Sequence, residues 1–380
     1  MGEGTARPPR LLHLHSSFSL GGKEARAVRL MNLWGNRARH AIVSGVAADM
    51  GASAAIAQGV DVAFPDDIGL VGPLRLGRLR ALARRMADHD LILTYNWGAM
   101  DAVMAHRLFS RSMALPPLIH HEDGFNIEEA NGLKTRRNLY RRLALATAHA
   151  LVVPSVRLET VARRIWMQPA RRVHLVRNGI DIERYARPPA PDGLPGFCRT
   201  PGKLVVGTLA GLRPVKNIPR LVRAVARNRD RLQLVVVGEG EERDAIQREA
   251  RAQGLDDFHM AGFLAEPWRF MGLFDIFALS SDSEQFPISL VEAMAAGLPV
   301  ASTDVGDVAN MVAPENRSLV VGAEDALASA LGLLADDADL RQRLGTANRE
   351  RARRDFAEDV MVDAYARLYG EALARPDIFR

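Results

Sequence analysis

A single cysteine, Cys198, among 380 residues excludes an intramolecular disulfide and any cysteine-based metal cluster, and it fits a reducing compartment. No run of about 18 apolar residues occurs, which argues against a membrane-spanning helix. The opening stretch "MGEGTARPPRLLHLHSSF" lacks an apolar core of signal-peptide length. A cytoplasmic protein is therefore expected. Aromatic residues make up only 6% of the chain and no nucleic-acid-binding motif occurs, so no nucleic acid partner is expected. Neither an Asp-x-Asp at a strand end nor a His/Asp cluster with metal-ligand spacing is present, so no metal and no cofactor are expected. Lysine is scarce as well: 46 of the 50 basic residues are arginine.

What is present is a mixture typical of a folded chain, 48% hydrophobic and 25% charged. Net charge is +5, unevenly spread. Residues 1–180 hold 25 Lys and Arg against 14 Asp and Glu, a balance of +11; residues 181–380 hold 25 against 31, a balance of −6. Two readings are open: an anionic surface or partner for the first half, or solvated arginine from a coding bias.

Short apolar runs alternate with helical patterns along the chain. In the first half the strand candidates are 10–15, 41–46, 61–64, 91–95, 117–121, 150–155 and 173–179, with helices such as 22–35, 74–88 and 133–148 between them. The segment "RPPAPDGLPGFCRTPGK" (187–203) reads as an interdomain linker. The pattern restarts with strands at 204–211, 232–240, 258–263, 275–281, 299–303 and 318–322, and helical segments at 324–335, 337–353 and 357–373 close the chain. Buried strands alternating with amphipathic helices give parallel sheets covered on both faces. The expected fold class is α/β, two doubly wound Rossmann-like domains facing across a cleft. The domains are 1–186 and 204–355, with a helix at 356–380 that packs back toward the first.

Three loops suit anions. Gly21 and Gly22 lie between a strand and a helix, where a backbone can approach a ligand; a tight turn explains them equally well. "LVVVGEGEERDAI" (234–246) imitates a dinucleotide fingerprint, but Arg243 stands where the third glycine belongs. "GTLAGLRPVKNIPRLV" (207–222) puts Arg213 and Lys216 after a buried strand, well placed for a diphosphate.

The segment "SEQFPISLVEAMAAGLPV" (283–300) sharpens the reading. Pro287 suits the first helical position and Phe286 the N-cap, where it offers no oxygen to the first turn. The N–H groups of Ile288, Ser289 and Leu290 are then open to an outside acceptor. Glu284 and Glu292 flank that entrance, and a carboxylate can hold hydroxyl groups with both oxygens. Ribose, diphosphate and sugar, in that order, is the layout of a nucleotide sugar.

This segment resembles the Glu-x7-Glu signature of retaining GT-B fold glycosyltransferases of the family 4 type, the glycosyl transferases group 1. The resemblance spans most of the chain, through Gly21–Gly22, "NGID" (178–181), "LRPVKN" (212–217), "VVGEGEER" (236–243) and "STDVG" (302–306). It implies that Glu284 holds donor-sugar hydroxyls, Glu292 the ribose, and Arg213 and Lys216 the diphosphate. It also places backbone groups of Gly238 and of Phe286, Pro287, Ile288, Ser289 and Leu290 against the donor, with Gly21 and Gly22 closing over the phosphate. A histidine at the end of a first-domain strand is implied near the reacting centre: His121, with His120 as the alternative. Gln285, Asp307 and Asn310 depart from the family's usual residues.

The implied function is transfer of a sugar, with retention and without a required metal, from a nucleotide diphosphate sugar to a glycan or lipid-linked acceptor in surface polysaccharide or glycolipid synthesis. An epimerase of the same fold and a silent nucleotide-sugar-binding scaffold are the alternatives. In 134–150 a helical wheel places Lys134, Arg137, Arg141 and Arg142 on one face and Leu139, Leu143 and Ala146 on the other. That basic face suits peripheral docking on the inner face of an anionic membrane; an ordinary surface helix is the competing reading.

Overall fold

The computed structural model describes residues 7–19, 21–66, 69–124 and 134–380. It divides into two compact units: residues 1–177 with 361–380, and residues 178–360.

The first unit is built on a seven-stranded parallel sheet in the order β3-β2-β1-β4-β5-β6-β7. The strands are β1 (Arg10–His15), β2 (Arg39–Ser44), β3 (Val62–Ala63), β4 (Leu91–Tyr95), β5 (Leu118–His121), β6 (Ala150–Val153) and β7 (Val173–Leu175). Between them run α1 (Gly22–Trp34), α2 (Leu76–Met86), α3 (Met100–Phe109), α4 (Thr135–Ala144) and α5 (Val156–Arg164). Successive strand side chains point to opposite faces. Leu11, Ile42, Leu93, Ile119 and Val152 pack with Val28, Met31 and Trp34 of α1 and with Met361, Tyr365 and Tyr369. Leu12, Val43, Ile92, Leu118 and Leu151 face the other way, onto Leu82 of α2, Val103 of α3, Ala144 of α4 and Leu158 of α5. The expectation of apolar runs covered on both faces is met in side-chain detail.

The second unit has a six-stranded parallel sheet in the order β10-β9-β8-β11-β12-β13. After α6 (Ile182–Tyr185) come β8 (Leu204–Leu209), α7 (Ile218–Ala226), β9 (Leu232–Val237), α8 (Arg243–Ala252), β10 (Phe258–Gly262) and β11 (Ile276–Leu279). Next come α9 (Ile288–Ala295), β12 (Val300–Thr303), α10 (Val308–Met311), β13 (Val320–Val321), α11 (Glu324–Asp336), α12 (Ala338–Phe356) and α13 (Glu358–Ala372), the last running from this unit into the first. One sheet face carries α7, α8 and α11; the other carries α6, α9 and the end of α12.

One expected boundary is corrected. Residues 187–203 are not a free linker but a strap bound to the second unit. Ala190 N–H donates to Arg269 O at 2.7 Å, Leu194 is buried in the core, and Thr200 Oγ1 donates to Asp257 Oδ1 at 2.6 Å. Proline and glycine make this backbone irregular, yet its polar groups are paired and its leucine is packed. The second unit therefore begins at Asn178.

Candidate functional site

In an open parallel sheet, ligands bind beyond the carboxyl ends of the strands where the strand order reverses. In the second unit that point lies between β8 and β11. The loop after β8 carries Gly211, Arg213 and Lys216, and the loop after β11 carries Ser281 and Glu284. The structure brings these loops together. Lys216 Nζ donates to Glu284 Oε1 at 2.5 Å, and Ser281 Oγ donates to the same oxygen at 2.7 Å. The side chains of Lys216 and Glu284 keep 15% and 9% of their surface. The loops are also joined behind the pair: Asp282 N–H donates to Val215 O at 2.8 Å, and Asn217 and Arg220 both reach the Asp282 carboxylate. The Arg213 side chain is exposed and makes no ion pair among the described residues.

Two glycines hold this arrangement. Gly306, at φ +58°, lies so close to the Glu284 carbonyl that a Cβ there would collide with it. Gly238, at φ +138°, packs in the same way on the Ala210 carbonyl, against the loop that presents Arg213. Its observed contact is thus with the loop after β8.

The helix entrance is one residue later than expected. Pro287 is the N-cap, with extended backbone at φ −70° and ψ 110°, and α9 begins at Ile288. No side chain caps it. Leu290 N–H donates to Pro287 O at 3.2 Å and so is not open, which corrects the expectation for that residue. The N–H groups of Ile288 and Ser289 have no protein acceptor among the described residues. Phe286 is anchored edge-on against Phe356 at 5.8 Å. Glu292, half-buried within α9, accepts from the Tyr185 hydroxyl at 2.8 Å. Burial pushes its carboxyl up to about 7, although the Tyr185 hydrogen bond pulls the other way.

Near these strand ends the first unit keeps its histidines inside. At the ends of β1, β4 and β5 the rings of His15, Tyr95 and His121 stack at 3.9 and 4.7 Å. His121 accepts or donates at both nitrogens, to the Tyr369 hydroxyl at 2.9 Å and Thr94 O at 3.2 Å. Burial drives it down to about 3, so the ring is neutral. His120 bonds Thr94 Oγ1 at 2.8 Å, and its other nitrogen lies 3.8 Å from Glu122. Neither histidine reaches solvent. The exposed end of this strand is taken up instead by Asp123, paired with Arg26 of α1. Burial alone would raise the Asp123 carboxyl, but the guanidinium outweighs it and holds it below the usual range. Gly21 is the uncapped N-cap of α1 and Gly22 its first residue. The buried Glu24 carboxylate lies against Gly21 and pairs with Lys23.

The expected face of α4 is corrected. Arg141 is fully buried, paired with Glu122 at 3.1 Å and lying between the rings of Trp97 and Trp166 at 4.9 and 5.0 Å. Leu139 and Leu143 are the exposed residues, at 56% and 54%. Lys134, Arg136 and Arg142 are exposed beside them, and Arg137 lies over the Trp97 ring. A helical wheel sorts arginine as polar, but here a carboxylate and two indoles make a buried seat for one. Sequence reasoning also missed Tyr185, Ser281 and the Arg26–Asp123 pair. Tyr185 was visible four residues after the "NGID" motif; the others carry no local signal.

Residues 199–351 match the family model for glycosyl transferases group 1. Over that segment the chain is similar to that family. A GDP-mannose-dependent alpha-mannosyltransferase of Mycolicibacterium smegmatis is 33% identical over 181 residues, covering 47% of this chain and 46% of that one. The GDP-mannose-dependent alpha-(1-6)-phosphatidylinositol monomannoside mannosyltransferase of Mycobacterium tuberculosis is 29% identical over 334 residues, covering 83% and 84%. Among solved structures, Anabaena HepE in complex with UDP superposes with a TM-score of 0.77 at 19% identity, covering 95% of this chain and 100% of that one. The aligned segments span about half the length of several curated relatives: 58%, 46% and 38% in three of them. The likeness to these structures shows the GT-B fold of two Rossmann-like domains. None of the chain's helices, among the described residues, is long and apolar enough to cross a membrane.

Proposed function

We propose that this protein is a retaining glycosyltransferase of the group 1 type that takes its sugar from a nucleotide diphosphate sugar. The observation that carries this is the contact of Lys216 with Glu284 beside the uncapped entrance of α9. A glycosyl–phosphate junction presents anionic oxygens on one side and sugar hydroxyls on the other. A touching ammonium and carboxylate are complementary to that junction. The N–H groups of Ile288 and Ser289 would take phosphate oxygens, and Glu292 a ribose hydroxyl. HepE is solved with UDP, and the mycobacterial relatives are named for GDP-mannose; both ligands share the nucleoside diphosphate this site would hold.

In the transition state the bond from the anomeric carbon to the phosphate oxygen breaks and negative charge gathers on the departing diphosphate. Lys216, Arg213 and the entrance of α9 stabilise that charge without rearranging. The acceptor oxygen attacks from the same face, and its proton passes to the leaving phosphate, so configuration is kept and no metal is required. Glu284 and Glu292 are occupied by hydroxyls, which disfavours a glycosidase-type pair.

The acceptor is a glycan or a lipid-linked sugar. Relatives include enzymes named for lipopolysaccharide core and phosphatidylinositol mannoside synthesis. The exposed Leu139 and Leu143 among Lys134, Arg136 and Arg142 suit shallow insertion into an anionic membrane surface, better than the wholly basic face expected from the wheel. Product analysis tests the reading. Sugar transfer that needs an acceptor and survives chelation supports it; turnover of the nucleotide sugar without acceptor points to an epimerase, and binding without turnover to a scaffold. Calorimetry separates the carboxylates: Glu292→Ala weakens the nucleoside diphosphate itself, whereas Glu284→Ala weakens only the complete nucleotide sugar. Equal losses of diphosphate affinity would reject the assignment.

A further inference from the structure

Tyr185 ends the four-residue helix α6, with its ring packed in the core beside Leu290, Val291 and Met294 of α9. Its hydroxyl points at a single acceptor, Glu292 Oε1, 2.8 Å away. Glu292 Oε2 has no hydrogen-bond partner among the described residues. The carboxyl is thus clamped at one oxygen and open at the other. We propose that Tyr185 is a positioning residue of the nucleotide site: its hydroxyl fixes the rotation of the Glu292 carboxyl and favours its acceptor form, with Oε2 offered to a ribose hydroxyl. This rests on the nucleotide-sugar reading of the site.

The chemistry comes from the donor. A phenol beside a carboxylate gives its hydrogen to the charged form more strongly than to the neutral acid. Burial and the Glu292 charge together raise the Tyr185 hydroxyl, so it remains a donor throughout the working range. Burial drives Glu292 toward the neutral acid, and the Tyr185 bond is what opposes it. The charged groups on the elements around Glu292 are engaged elsewhere. Arg184 of α6 bonds Asp181 at 2.8 Å and lies over Trp268, and Glu183 lies 4.0 Å from Arg353 of α12. Arg349 of α12 donates to Ala296 O at the far end of α9, while β11 and β12 bring apolar side chains. Phenylalanine at 185 would keep the packing and remove only the clamp.

The test measures UDP and GDP binding by calorimetry between pH 6 and 9, for the intact protein and for Tyr185→Phe, Glu292→Gln and the double variant. Alongside, the Glu292 carboxyl is titrated by carbon NMR of glutamate-labelled protein, with the resonance assigned by its loss in Glu292→Gln. Tyr185→Phe is expected to weaken the bound nucleotide about 5- to 10-fold at pH 7, the scale of one net hydrogen bond, and by a smaller factor at pH 9, where Glu292 is ionised in larger part. Its Glu292 resonance should titrate at higher pH than in the intact protein, and Glu292→Gln should abolish the pH dependence of the tyrosine effect. A Glu292 titration unmoved by Tyr185→Phe, or a loss of affinity equal at all pH values, would overturn the proposal. Unchanged nucleotide affinity in Glu292→Gln, or no affinity in the intact protein, would instead overturn the nucleotide reading on which it rests; the ligand-free titration tells the two failures apart.

Discussion

The two sheets share one plan but treat charge at their strand ends in opposite ways. In the second unit Arg213, Lys216 and Glu284 stand at the rim, partly exposed, on loops tied together from behind. In the first unit the corresponding ends are filled by buried rings and ions packed on one another: His15, Tyr95 and His121 in a stack, and Glu122 with Arg141 between two indoles. One carboxyl edge leaves charged atoms within reach of solvent, the other encloses them. Ionisable side chains near a strand end thus do not by themselves mark a reaction centre; accessibility of the unpaired atom separates the cases.

The comparison breaks most visibly at Arg141. Arg141→Ala leaves Glu122 charged and buried, and is expected to cost about 3–5 kcal/mol in the unfolding of the first unit. Arg141→Met combined with Glu122→Leu should recover most of that. Denaturant unfolding checks both; an unchanged midpoint for Arg141→Ala would mean that the pair is not buried. Lys216→Ala should leave stability nearly intact and lower turnover by about 10²-fold or more, the scale of one lost transition-state charge. Near-normal kcat in the folded variant would remove Lys216 from the site.

Acid should also separate the units. His121 is held down to about 3 and His40 to about 4, both chiefly by burial, and burial likewise lowers His13 and His15. Their unfolded value lies near 6.5, so between those values the unfolded chain binds more protons. Stability from these groups is full above about pH 6.5 and is lost as pH falls toward 4. Hydrogen exchange should show the first unit loosening before the second over that window; simultaneous loosening would contradict it. The smallest effect concerns α4. Leu139→Ser with Leu143→Ser should reduce sedimentation with acidic vesicles several-fold while transfer to a soluble acceptor persists, and salt should weaken binding as screening shortens. Vesicle binding indifferent to both changes would remove α4 from the surface.

The strands were legible because each carries its own short apolar run: Arg10–His15 and Leu91–Tyr95 are found with the expected bounds. The positions of Arg213, Lys216, Glu284 and Glu292 were legible because short motifs fix them next to strand and helix ends. Arg141 was not, because its carboxylate lies 19 residues back on another element and its indoles come from two others. The strap at 187–203 misled because composition reports irregular backbone and not whether that backbone is bound. The α9 entrance shifted by one residue because the proline ring fixes φ at a value that suits a helix but leaves ψ free, and Pro287 takes an extended ψ.

Residues 361–380 belong to the first unit although residues 178–360 intervene. During vectorial synthesis the second unit is therefore contiguous and has all its strands before the first can close. Tyr369, the hydroxyl partner of His121, lies 248 positions further along the chain, and Met361, Tyr365 and Phe379 complete the same apolar layer. The earlier-made sheet waits for the later-made helix, so the His121–Tyr369 contact forms only after the whole second unit has been synthesised.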